Sequence, residues 1–231
     1  MKKKKRRGNF FVIEGGDGCG KKTQTKILVD WFNENGQPTE TIDFPQRYAF
    51  FGKLIYEGLE DNLYGDFVSL HPKIASVLWA ADRAIAGPKL EEWLSSGKNI
   101  VADRYVSANQ IHQGGKIHDE KERREFLAWL DEMEFGQFKI PRPDKVLYLD
   151  VPYEISQRLM RERLKKGEAN PLKDKPDQYE SNIQHQADAR RSAAGMLIES
   201  GWIKIQCSDD GINMLSVEDI HLKIRKELGL L

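Results

Sequence analysis

The segment Phe10 to Gln24, FFVIEGGDGCGKKTQ, sets a short apolar run directly before a glycine-rich turn that ends in Gly20 and Lys21. Residue types in this order hold the phosphates of a nucleotide. Gly15 and Gly20 allow a backbone path that a Cβ would resist, its N–H groups point inward, and the next helix adds the positive end of its dipole. Lys21 supplies a full charge for the β and γ phosphates. Two glycines and a lysine at this spacing recur by chance, so context decides. Phe10 to Glu14 reads as a buried strand, while Ile27, Leu28, Trp31 and Phe32 form one face of a helix that starts within the glycine run. Strand, loop and helix come in the required order, making Gly15, Gly16, Gly18, Cys19, Gly20, Lys21, Lys22 and Thr23 the candidate ATP contacts.

One position departs from the usual pattern. The residue after the loop lysine is normally Ser or Thr, whose hydroxyl ligates Mg²⁺; here it is Lys22, with Thr23 one place later. Either Thr23 takes the metal contact or the ion is held mainly through water and phosphate oxygens, because Mg²⁺ keeps several waters readily.

The elements that must position these residues follow from periodicity and punctuation. Strands are expected over Phe10–Glu14, Thr39–Phe44, Asn99–Asp103, Asp144–Asp150 and Trp202–Gln206. Helices are expected over about Phe51–Glu60, Pro72–Leu94, Lys121–Met133, Tyr153–Lys165, Tyr179–Glu199 and Val217–Leu228, with Pro72 suited to a first turn and Gly97 to a stop. Strands separated by helices imply an α/β fold, a five-stranded parallel sheet covered on both faces, and the phosphate loop after its first strand makes it one of the P-loop NTPase kind. Ligands of such sheets gather at the strands' C-terminal ends. Gly167 to Asp177 contains two prolines and many charges between two helices, and reads as the centre of a mobile lid over about 161–178.

A chain of 231 residues with 39% hydrophobic and 31% charged residues has the profile of a soluble globular protein, and residues 9–231 are read as one domain. Lys+Arg and Asp+Glu are both 36, which removes any global pull toward nucleic acid or an anionic membrane. Lys2 to Arg7 are all basic, and a like-charged terminal run reads as a disordered, solvated arm over 1–8, so no stable nucleic-acid partner is expected. No apolar stretch suits a secretory signal or a membrane span. Cys19 and Cys207 are too few for a disulfide framework and fit a reducing cytoplasm.

Further chemistry-bearing segments fall at or beside the strand ends. They are PheProGlnArg at 44–47, TrpAlaAlaAspArg at 79–83, AspArgTyr at 103–105 followed by Asn109, His112 and Gln113, and the charged run from Arg158 to Asp177. Together with the loop at 14–24, their order and spacing make the chain resemble the thymidylate kinase family over about residues 9–228. The resemblance implies Mg²⁺-dependent phosphoryl transfer from ATP to dTMP in a homodimer. Arg47 and Arg104 are similar to family arginines that hold the acceptor monophosphate and the transfer site. Asp17 is similar to a carboxylate that contacts the acceptor sugar and organises the loop, Trp79 to an aromatic ring stacked on thymine, and Arg83 to the residue that bonds the base edge. Phe44, Asn109, His112 and Gln113 complete the expected dTMP contacts. Asp103 suits a water-mediated hold on Mg²⁺. Residue chemistry agrees, since a guanidinium fork takes two phosphate oxygens at once, Trp79 and Arg83 share a helix face, and the Asn109 amide offers both donor and acceptor.

Two positions leave the family's pattern open. His112 stands where the family has Tyr or Phe near the sugar's 2′ position; its ring can block a 2′-hydroxyl, or its imidazole can bond to one. Gly18 occupies the place where one subclass carries a catalytic arginine, so the chain resembles the subclass that supplies it from the lid. Arg158, Arg161 and Arg163 are on offer there, and Arg161 and Arg163 cannot face the same way on a helix. The expected catalytic set is Lys21, Asp17, Arg104 and Arg163. Alternatives are a kinase for another nucleoside or deoxynucleoside monophosphate, motivated by His112, and a low-turnover nucleotide-binding regulator, motivated by Lys22. Lys22→Thr is expected to lower the Mg²⁺ concentration giving half-maximal turnover; an unchanged Mg²⁺ titration would show the departure to be harmless.

Overall fold

The computed structural model describes residues 6–61, 63–165 and 177–231, apart from the side chains at 61 and 163–165. Five parallel strands lie in the order β2-β3-β1-β4-β5: β1 (Phe10–Gly15), β2 (Thr39–Asp43), β3 (Asn99–Asp103), β4 (Lys145–Asp150) and β5 (Ile203–Gln206). The central strand, β1, is buried along its whole length, which explains why its residues form a continuous apolar run rather than an alternating one. Its side chains still alternate in direction. Phe10 and Val12 join Leu90, Leu94, Ile100, Tyr105, Phe126 and Leu130 on one face, while Phe11 and Ile13 join Leu28, Phe32, Leu147, Ile205, Ile220 and Ile224 on the other.

Helices cover both faces. In chain order they are α1 (Lys21–Glu34), α2 (Phe50–Asp61), α3 (Pro72–Ser95), α4 (Val106–His112), α5 (Glu120–Asp131), α6 (Tyr153–Lys165), α7 (Gln178–Ser181), α8 (Ile183–Glu199) and α9 (Val217–Leu228). At the start of α3, Pro72 follows a His71 cap whose ring accepts from the Lys73 N–H. Gly97, at φ 82°, stands beyond its end, as the sequence pattern requires.

The structure differs from the expected elements in three places. The helix expected over Tyr179–Glu199 is interrupted: Asn182 adopts φ −92°, ψ 103° and its side chain accepts from the His185 N–H, capping α8 as a separate helix. Asp177 and Glu180 form a capping box on the short α7. The α5 helix stops at Asp131 and continues as a π-helical turn, Glu132–Gln137, which helical periodicity does not reveal. Third, α4 follows β3 directly where no helix was expected. Of the basic arm expected over 1–8, residues 1–5 lie outside the described residues; Arg7 pairs with Asp144 at 3.3 Å and the Gly8 N–H donates to Leu94 O at 2.9 Å. The expected lid lies outside them from 166 to 176.

Register places the chemistry. Ile13 pairs with Asp103, Gly15 with Leu149, and Asp43 with Asp103, so the C-terminal ends of β1, β2, β3 and β4 open into one crevice. Strand order reverses at β1, the position where open α/β sheets bind ligands.

Candidate active site

The phosphate loop leaves β1 through Gly15, Gly18 and Gly20, at φ 153°, 75° and 90°. Space as well as dihedral demands glycine at two of them. A Cβ on Gly15 would stand 2.7 Å from Cys19 Sγ and 3.0 Å from Leu149 O, and one on Gly18 would stand 2.7 Å from Met160 Cγ and 3.0 Å from Ser156 O of α6. Gly20 precedes α1 and no side chain among the described residues caps that helix, which leaves its first N–H groups open at the loop, where a helix N-terminus can take an anion. Lys21 is buried and its Nζ donates to Gly15 O at 3.0 Å and Gly16 O at 2.8 Å. Lys22 and Thr23 are exposed on the first turn.

Beside the loop lies a cavity of about 200 Å³ lined by Asp17, Phe44, Arg47, Trp79, Arg83, Arg104, Asn109, His112 and Gln113, so every expected acceptor contact reaches one space. Pro45, Tyr56, Leu59, Ala108, Asp177, Tyr179 and Glu180 complete its walls. At the end nearest the loop, Arg104 holds the left-handed φ of 67° and donates to Asp17, to Glu14 at 3.3 Å and to His112 Nε2 at 3.1 Å. Burial works against the charge of Asp17, but Arg104, Lys21 and the Gln186 amide at 3.1 Å outweigh it and hold its carboxyl well below the usual range. Arg47 forks onto Glu60 at 2.7 and 3.3 Å and lies over the Tyr56 ring. Asp103, at the end of β3, has no hydrogen-bond partner for its carboxylate among the described residues; burial raises its pKa, opposed by Lys21 and Arg104.

The far end is aromatic. Trp79 stacks on Tyr179 with centroids 5.9 Å apart and meets Phe67 edge-on, and the Gln113 amide donates to the Tyr179 hydroxyl at 3.0 Å. Among the described residues the buried Gln113 Oε1 has no partner. Arg83 is fully buried, and its Nε and Nη2 bind Glu134 at 2.6 and 2.5 Å while Nη1 donates to Tyr105 O at 3.3 Å. Asn109 donates to the same carboxylate at 3.3 Å and to Ser76 O at 3.1 Å. The guanidinium expected at a base edge is therefore also the counter-ion of a buried glutamate.

Sequence reasoning missed Glu14, Glu60, Glu134, Tyr179, His185 and Gln186. A signal existed for Glu14, a carboxylate closing a buried apolar strand. No local pattern marks Glu134, which the π-helical turn carries beneath Arg83. Among the lid arginines, Arg158 donates to Ile212 O at 3.0 Å, Arg161 is exposed, and the Arg163 side chain lies outside the described residues.

A parallel sheet whose strand ends join a glycine-lined phosphate loop to an arginine-bearing second cavity defines a P-loop nucleoside monophosphate kinase. Comparison with known proteins narrows the class. The thymidylate kinase family model matches residues 13–193. A probable thymidylate kinase of Pyrococcus abyssi is 34% identical over 178 residues, covering 72% of this chain and 76% of its own. The thymidylate kinase of Plasmodium falciparum is 26% identical across 97% of this chain and 91% of its own. The solved thymidylate kinase of Candida albicans superimposes with a TM-score of 0.71 over 96% of this chain and 92% of its own, at 22% identity, a likeness of fold. This chain belongs to the thymidylate kinase family. It is a kinase, a nucleotide-binding transferase built on the P-loop.

Glu134→Ala leaves the Arg83 charge buried and uncompensated, and is expected to cost about 3–5 kcal/mol of stability, read from urea unfolding midpoints at unchanged slope. A loss below ~1 kcal/mol would mean that Arg83 finds another partner or water.

Proposed function

We propose that the protein transfers the γ-phosphoryl group of ATP to dTMP, forming dTDP. One observation carries this reading: Asp17, within the phosphate loop, is ion-paired to Arg104, which lines the second cavity, so donor and acceptor sites share a wall. Phosphoryl transfer asks for little covalent help; it needs two phosphates held in line and the charge growing between them neutralised. The loop N–H groups and Lys21 take the donor phosphates. Glu60, Glu14 and Asp17 keep the forks of Arg47 and Arg104 compensated, and an acceptor phosphate competes for those same forks. With the phosphate at that end, the base extends toward Trp79, Asn109 and Gln113, where the unpartnered Gln113 Oε1 suits an N–H donor of the base. A side chain at 18 would meet α6, which supports a supply of the remaining cation from the lid, by Arg163.

Mg²⁺ fits the residues present. Among the described residues no three His, Cys, Asp or Glu side chains gather as a metal site, and Mg²⁺ needs none, since one or two ligands plus phosphate oxygens and waters suffice. Asp103, whose carboxylate has no hydrogen-bond partner among the described residues, suits a hold through water, and Thr23 offers an exposed hydroxyl. Bound there, the ion supplies charge to the transferring phosphates.

Two further proposals concern the assembly and its setting. Ile74, Val77 and Ile85 are exposed along one stripe of α3, which supports a homodimer formed on that helix. Among the described residues no helix is long and apolar enough to cross a membrane. Both cysteines are free and buried, which suits a reducing cytoplasm.

ADP release with ATP and Mg²⁺, measured across dTMP, dUMP, UMP, dCMP and dGMP, is expected to be fastest with dTMP; no turnover with any acceptor would refute the kinase reading of this site. Lys21→Ala is expected to lower kcat by at least ~100-fold, because a preorganised charge at the transferring group is removed. Ile85→Asp is expected to shift the sedimenting species from dimer to monomer, and a variant that sediments as wild type would remove α3 from the interface.

A further inference from the structure

His112, the residue that departs from the family's Tyr or Phe, stands between the cationic and aromatic ends of the cavity. Both of its ring nitrogens are engaged. Arg104 Nη1 lies 3.1 Å from His112 Nε2, and His112 Nδ1 lies 3.2 Å from His185 Nε2. A guanidinium only donates, so His112 Nε2 must carry its lone pair. In a neutral ring the proton then sits on Nδ1, where it donates to His185 Nε2. His185 must in turn keep its own proton on Nδ1. Three side chains from the β3 end, α4 and α8 thus form one directional chain, Arg104 to His112 to His185, and only one arrangement of protons satisfies it.

We propose that His112 and His185 are positioning residues that aim the Arg104 guanidinium at the transfer site, the acceptor lone pair on His112 Nε2 being set by its hydrogen bond to His185. The proposal rests on the phosphoryl-transfer reading of the same site. Arg104 needs such guidance because its other partners, Asp17 and Glu14, are carboxylates that an incoming phosphate displaces or competes with, whereas a neutral imidazole acceptor does not repel the phosphate. The surroundings keep the pair uncharged. His112 faces burial, Arg104, His185 and Lys21 on one side of the balance and Asp17 on the other, and its pKa falls well below the ordinary histidine value. His185 faces burial and Lys116 against Asp17 and Asp188, and is pushed down to about 4. A consequence follows for the acceptor sugar: with both nitrogens occupied, His112 has no lone pair to spare for a 2′-hydroxyl and presents itself there as a ring. The stack of His112 and His185 on Tyr179, with centroids 6.0 and 4.2 Å away, holds that ring in place.

Two substitutions separate positioning from packing. His112→Phe keeps an aromatic ring against Tyr179 but loses both hydrogen bonds; His112→Gln loses the ring, yet its carbonyl oxygen can accept from Arg104 while its amide donates to His185. With dTMP as acceptor, His112→Phe is expected to lower kcat about tenfold or more with KM changed less than about threefold, and His112→Gln to recover at least about fivefold of that loss. A His112→Phe enzyme as fast as or faster than His112→Gln would overturn the proposal, since packing alone would then explain the residue. The ¹⁵N spectrum of the imidazoles, which reads the wild-type chain without turnover, is expected to show His112 neutral at pH 7 and protonated on Nδ1 alone; an Nε2–H or cationic ring would also overturn it. If wild-type protein turns over no acceptor, the kinase reading fails, while the spectrum still decides whether the chain exists.

Discussion

The ion pair between Asp17 and Arg104 is the interaction on which the site turns. It ties the phosphate loop after β1 to the residue that follows β3, two strands that are neighbours in the sheet, and it does so beside Lys21. Cations gathered in one crevice repel one another and would open the cleft unless compensated. Asp17, Glu14 and Glu60 provide that compensation from within the chain, each on an element already fixed by the sheet or by α2. The guanidinium forks are therefore held in place rather than free, and under the proposed function the same carboxylates set the electrostatic cost that a phosphate would have to offset on arrival.

Burial makes these pairings consequential. Glu14 is fully buried, yet it accepts from the Gly15 N–H, from Ser107 and from Arg104, so each of its oxygens has a donor. Arg83 and Glu134 form a second buried pair, joined by the Asn109 amide. This cluster fixes α3, α4 and the π-helical turn relative to one another, and with them the aromatic end of the cavity. Arg83, expected from the family resemblance at a base edge, thus also holds a wall of the cavity in place.

Local strain and close contact point to the same crevice. Arg104 accepts a left-handed backbone, which a residue with a Cβ adopts at some cost, and the surrounding pairings on its guanidinium hold it there. Gly18 lies against Ser156 and Met160 of α6, so the helix that leads into the expected lid rests directly on the phosphate loop.

Much of this was legible in residue order. The expected gathering of Arg47, Arg104, Trp79 and Asn109 around one cavity comes from the family resemblance, whereas the phosphate loop, the five strands and the Pro72 start of α3 follow from short-range patterns: apolar runs, glycine where φ must be positive, and proline in a helix's first turn. These features depend on steric limits of the backbone and on periodicity, which neighbouring residues determine by themselves. The break at Asn182 and the π-helical turn were not legible, because capping and tertiary packing overrode the helical period there, and α4, seven residues long, is too short to show a period. Nor were the partners. That Glu134 would neutralise Arg83, that Glu60 would hold Arg47, and that His185 would complete the chain through His112 to Arg104 was decided only when segments tens of residues apart were brought together, since a charge or a lone pair responds to what stands within a few ångströms of it and not to its distance along the chain.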